Sequence, residues 1–152
     1  MEALMKWNII GLFLSIFLLH SCSKEEIGPR TIEGNWIVTS YEDYETATSI
    51  TKTEENTWSD SNNGDVTVRF SFTKEMEGEI SGINVTNIFN GGFLLKSDRR
   101  ITIGPLITTR VGEPEWAAMF HSITLAESYE VDENRLIIFY NNKKNAIVLE
   151  RI

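Results

Sequence analysis

From Val66 to Thr73 the chain reads Val-Thr-Val-Arg-Phe-Ser-Phe-Thr, apolar and polar in strict alternation. Side chains on a strand point to opposite faces in turn, so this octet can bury its Val/Phe row and wet its Thr/Arg/Ser row. Strand-like segments recur at Trp36–Tyr41, Glu79–Val85, Ile88–Leu95, Arg100–Arg110, Tyr129–Val131, Leu136–Tyr140 and Ala146–Ile152. Between them stand turn signals such as Asn62-Asn63-Gly64-Asp65, Lys74 to Gly78 and Asn141-Asn142-Lys143-Lys144, rich in residues that tolerate positive φ. Residues 42–65 are polar and acidic and read as a long loop with an irregular strand around Ile50 to Trp58. Gly104-Pro105 falls inside the fourth segment, where a proline cannot donate to the ladder, so an edge or a bulge is expected there. One helical period stands out: after Glu113-Pro114-Glu115, the apolar residues Trp116, Met119, Phe120, Ile123 and Ala126 form one stripe. The pattern predicts a mostly β fold, a small antiparallel barrel-like domain over residues 32–152 with one amphipathic α-helix laid on an open end or face.

The start of the chain has a different character. Ile9 to Leu19 is an apolar run of eleven residues. Crossing about 30 Å of hydrocarbon takes roughly 20 residues, so the run is short for a span and suits a signal-peptide core. It ends at Leu19-His20-Ser21-Cys22, which resembles a bacterial lipobox, with His20 where a small residue is usual. Cys22 is the single cysteine, and its thiol is the atom an acyl-glyceryl group requires. The expected division is a lipoprotein signal peptide at 1–21, lipidated Cys22 with a flexible tether through residue 31, and the domain at 32–152. One acyl chain holds a protein only marginally, so firm anchoring rests on two or three, palmitate among them. The tether begins Ser23-Lys24-Glu25-Glu26, and its acidic pair resembles an export signal to the outer face of the outer membrane; an ordinary solvated spacer is the alternative.

Composition excludes several functions. The formal charge is −8, and no Lys/Arg cluster appears that would neutralise a phosphate backbone, so nucleic acid is not an expected partner. One cysteine leaves no intramolecular disulfide, thiolate zinc cage or Cys-x-x-Cys pair. Past the signal segment the only histidine is His121, which helical spacing places opposite the apolar stripe, facing solvent. No Gly-x-Ser-x-Gly elbow, phosphate-binding glycine loop or His-Glu-x-x-His is present. Asp60 to Asp65 invites a calcium-loop reading, but Gly64 stands where an oxygen ligand belongs and Ser71 where a Glu belongs. Glu75, Glu77 and Glu79 sit on a turn beside Lys74 and read as solvated rather than as an acid/base pair. Asn84-Val85-Thr86 matches a glycosylation acceptor, a match of little weight in a bacterial lipoprotein. The expectation is a non-enzyme with no cofactor and no metal. Phe70, Phe72, Phe89 and Phe93 could line a cavity for a small apolar ligand in the barrel mouth, or simply fill the barrel.

From Ile32 onward the order of motifs resembles the META domain (HslJ-like) family of bacterial envelope proteins. Ile32-Glu33-Gly34-Asn35-Trp36 matches the family's Leu-x-Gly-x-Trp opening. Ser81-Gly82-Ile83-Asn84-Val85-Thr86-Asn87-Ile88-Phe89-Asn90-Gly91-Gly92-Phe93 keeps the register of its hallmark, with Val85 where the family has Gly. Ile103 to Glu115 and Tyr129-Glu130-Val131 with Leu136 complete the pattern. The resemblance implies a β-barrel-like domain with one helix and brings no established activity, catalytic residue or cofactor. It also implies that two frequent cysteines of relatives, a disulfide if paired, fall here on Thr86 and Glu113. Together these readings describe a lipid-anchored, non-catalytic cell-envelope protein in an envelope stress, maintenance or protein-interaction role, with the membrane and an envelope protein as partners.

Overall fold

One strand with three neighbours closes the sheet. The structure, a computed structural model, describes residues 32–152. The signal segment 1–21, Cys22 and the tether lie outside the described residues. Strand β1 (Gly34–Asp43) pairs along nearly its whole length with β10 (Asn145–Arg151). On its other side it pairs first with β3 (Val66–Phe72), through Gly34–Ile37, and then with β2 (Thr48–Thr51), through Ser40–Asp43. From β3 the sheet continues antiparallel through β4 (Glu77–Asn84), β5 (Asn87–Lys96), β6 (Arg100–Ile103), β8 (Ser128–Val131) and β9 (Arg135–Tyr140) to β10. The result is a closed eight-stranded antiparallel barrel, with β2 attached to the upper half of β1. Short β7 (Ile107–Thr108) prolongs the line of β6 along β5. The break between them is the expected irregularity at Gly104-Pro105: Ile103 pairs with Phe93, and pairing resumes at Ile107 with Asn90.

The alternation in the sequence sets the inside of the barrel. Val66, Val68 and Phe70 of β3 are buried while Thr67, Arg69 and Ser71 are not. Trp36, Ile80, Phe89, Ile138, Ile147 and Leu149 join them in a single core. Two cross-strand pairs fit the large rings in. Gly78 lies opposite Phe93 and Gly82 opposite Phe89, and in each case the ring lies over the space a side chain would fill. Phe93 then contacts Phe70 and Phe72 edge-on, at centroid distances of 5.3 and 5.2 Å.

Helix α1 (Glu115–Met119) starts directly after Pro114, as expected, but it is only five residues long. The chain continues as a 3-10 helix from Phe120 to Leu125. The predicted stripe still faces inward, with Trp116, Phe120 and Ile123 buried. The tightening coincides with two hydroxyls that bond carbonyls three residues back, Ser122 to Met119 and Thr124 to His121, in competition with the α-helical ladder. This helical segment packs against β6 and β9 where β8 is too short to reach. There β8 meets β6 only at Arg100 and Ser128, flanked by two backbone hydrogen bonds.

The acidic stretch also differs from its reading. Its strand lies at Thr48–Thr51, ahead of the expected Ile50–Trp58, and all four residues are exposed. Such a strand carries no burial alternation to mark it. Residues Asn62–Gly64 form a 3-10 turn, and Asp65 pairs with Lys52. Lys74 pairs with Glu77 on the exposed β3–β4 turn.

The Gly/Phe pairs generate a prediction. A Cβ at Gly82 would fall 1.9 Å from the Thr67 carbonyl oxygen and 2.8 Å from the Phe89 ring, whereas one at Gly92 would meet nothing closer than 3.8 Å. Gly82→Ala is expected to lose about 1–3 kcal/mol in urea unfolding, the range for overpacking. Gly92→Ala is expected to change stability by less than about 0.5 kcal/mol. Equal effects of the two substitutions would refute this account of the pairs.

Candidate functional site

Polar groups gather at the end of the barrel where β4 turns into β5. The turn is tight: the Thr86 N–H donates to the Asn84 carbonyl at 2.6 Å, and Val85 adopts φ +54°. A β-branched residue in the left-handed region is strained, at roughly 1–2 kcal/mol, and glycine is the residue that adopts it freely. This is the position at which the META resemblance carries Gly. The Val85 side chain is buried against the core, which offsets the strain.

Asn87 organises the neighbouring loop. Its Oδ1 accepts from the Thr109 hydroxyl at 3.0 Å and the Val111 N–H at 2.9 Å, and its Nδ2 donates to the Val111 carbonyl at 3.0 Å. The buried Asn84 donates through Nδ2 to Glu113 Oε2 at 3.1 Å, while its Oδ1 is buried without a partner. Glu113 Oε1 lies 2.7 Å from His121 Nε2. The Thr86 hydroxyl donates to the Gly112 carbonyl at 2.8 Å, so residue 86 lies against the residue preceding Glu113. A shallow cavity of about 350 Å3 opens between Asn87, Thr109, Arg110, Glu113 and His121.

A second cleft, of about 440 Å3, opens at the same end between the helical segment and the inner face of β2, β1, β10 and β9. Tyr41, Ile50, Ala118, Met119 and Tyr140 supply apolar wall, and Asp43, Thr48, Ser122 and Asn145 supply the polar lining. The Tyr41 ring packs edge-on against Trp116 at 4.8 Å and its hydroxyl donates to the Trp116 carbonyl at 3.1 Å. Burial, with smaller contributions from the charges of Tyr140 and Glu113, pushes the Tyr41 phenol well above the usual range. The exposed carboxyl of Asp43 is held below its ordinary value, chiefly by the Thr46 N–H.

The residues singled out in the sequence separate clearly. His121 faces outward as expected, half exposed, but it is not alone: it pairs with Glu113. Phe70, Phe89 and Phe93 are core residues, Phe89 stacking on Phe120 at 5.1 Å, and Phe72 packs on the core partly buried. None of the four lines the mouth cleft. Asn84-Val85-Thr86 is the strained turn itself. Tyr41, Asp43, Met119 and Tyr140 were not anticipated, because strands 1 and 9 and the helix that carry them are far apart in the chain. Among the described residues no three His, Cys, Asp or Glu side chains gather as a metal-binding group. Among them, too, no helix is long and apolar enough to cross a membrane.

Comparisons with known proteins define the class by fold. No family model matches the chain, and no curated protein matches it. A solved structure of a DUF4847 family protein from Bacteroides vulgatus ATCC 8482 is similar, with a TM-score of 0.55 at 15% sequence identity. The alignment covers 80% of this chain and 94% of that one, so the likeness spans the barrel as a whole. At that identity it speaks for fold alone.

The Tyr41 environment fixes a pH dependence. A phenol whose folded value is raised contributes stability that is fully present below its unfolded value, about 10, and is lost as pH rises beyond it. Tyr41→Phe is therefore expected to make the fall in unfolding free energy above pH about 10 shallower. An unchanged alkaline slope in denaturant titrations would show that Tyr41 does not carry it.

Proposed function

We propose that this chain is a non-catalytic lipoprotein of the bacterial cell envelope, held to the outer membrane through acyl groups on Cys22 and serving envelope maintenance or protein interaction. The observation that carries the reading is Leu19-His20-Ser21-Cys22 at the end of an apolar run of signal-peptide length, with the sole sulfhydryl at the acylation position. The arrangement of the barrel supports it. β1 begins at Gly34, close behind the tether, and ends at Asp43 beside the mouth cleft, so the attachment point and the cleft lie at opposite ends of β1. The ten residues from Cys22 to Thr31 reach at most roughly 33 Å when extended. Growth with an alkyne fatty acid is expected to label the wild-type chain and leave Cys22→Ala unlabelled. Label on the variant, or none on the wild type, would overturn the proposal.

Membership of the META family is part of the same proposal. Positive φ at the family's Gly position and the contact of Thr86 with the segment at Glu113 both support it. A Thr86→Cys/Glu113→Cys variant is expected to form a disulfide, and its oxidised form to exceed its reduced form in stability by about 3.6 kcal/mol, the entropic value for a loop of this size. Thiols that stay free under oxidising conditions would remove the argument.

The mouth cleft favours a second reading, a binder of small apolar molecules. Its volume of about 440 Å3 and its tyrosine, isoleucine and methionine walls suit one.

A further inference from the structure

The electrostatics of the mouth narrow what such a cleft would take. This inference rests on the second reading above. Residues 42–65 carry seven carboxylates against one cation, Lys52, which is engaged by Asp65. One of the seven, Asp43, shares the inner face of β1 with Tyr41 and lines the cleft, and no Lys or Arg does. Asp43 Oδ1 accepts from the backbone N–H groups of Glu45 and Thr46. These neutral donors fix position without cancelling charge. The cations of the adjoining β9–β10 turn are committed elsewhere, Lys144 to Glu45 at 2.8 Å and Lys143 to Glu130 at 3.7 Å. These N–H bonds, that of Thr46 first, favour the ionised form of the Asp43 carboxyl.

We infer that the mouth binds a small organic cation, its apolar body against Tyr41, Ile50, Met119 and Tyr140 and its ammonium or guanidinium group at the Asp43 rim. Tyrosine faces add to the attraction, since a ring quadrupole draws a cation. A neutral apolar molecule would leave the rim carboxylate facing its hydrocarbon, and an anion would meet like charge.

Three probes of one shape test this by isothermal titration of the full chain as purified from cells: 1-naphthylmethylammonium, 1-naphthalenemethanol and 1-naphthoate. The ammonium probe is expected to bind about tenfold more tightly than the alcohol, and the anion more weakly than either. Asp43→Asn is expected to bring ammonium and alcohol to equal affinity while alcohol binding persists, which also reports an intact cleft. Ala118→Trp, which fills the mouth, is expected to abolish both. Equal binding of ammonium and alcohol by the wild type, or the reverse order, overturns the cation inference and leaves the apolar-binder reading standing. No saturable binding of any probe, or binding that survives Ala118→Trp, overturns both.

Discussion

The double engagement of β1 is the constraint from which the rest of this structure follows. A sheet of eight short strands with free edges would expose two rows of unpaired backbone groups. Here β1 meets β10 on one side and β3 on the other, and both edges vanish. Closure fixes the interior volume, and the interior must then be filled from the inward-facing rows. The large rings of Phe89 and Phe93 fit only because Gly82 and Gly78 stand directly opposite. Those glycines belong to packing rather than to flexibility.

Beyond its pairing with β3, β1 carries on to Asp43 beside β2, and this overhang forms one wall of the mouth. The helical segment supplies the other wall. Its inward stripe anchors it to the core through Trp116, Phe120 and Ile123, while Ala118, Met119 and Ser122 turn toward the cleft. One short element thus separates the mouth from the Asn84–Asn87–Glu113–His121 cluster on its far side. Strain at Val85 and an unpartnered amide oxygen on Asn84 sit within that cluster, the kind of local cost that a surrounding core must hold in place.

Much of this was legible from residue order. The period-two rows of Val66–Phe72 marked which side chains are buried, and Gly104-Pro105 marked where the β6–β7 line breaks. The inward stripe of the helix was legible too, since burial follows spacing whether the turn is α or 3-10. The shift to 3-10 was not; it coincides with the hydroxyl bonds of Ser122 and Thr124, which the apolar pattern ignores. Strand β2 escaped for a different reason: nothing in it is buried, so nothing in it alternates. The left-handed turn at Val85 had no local signal, as valine is the wrong residue type for it. The mouth was the least visible of all. Its walls come from positions 41, 50, 119 and 140, which closure alone brings together.

The narrow junction of β6 with β8 gives the barrel a preferred line of rupture. A ladder resting on a single residue pair and two adjoining backbone bonds has little to resist parting, whereas β1 and β10 are laced from Trp36 to Asp43. Amide protons along Ile101 and Tyr129 would then exchange with solvent ahead of those on the β1–β10 flank, and the first water to enter the interior would come through a slit beneath the helical segment.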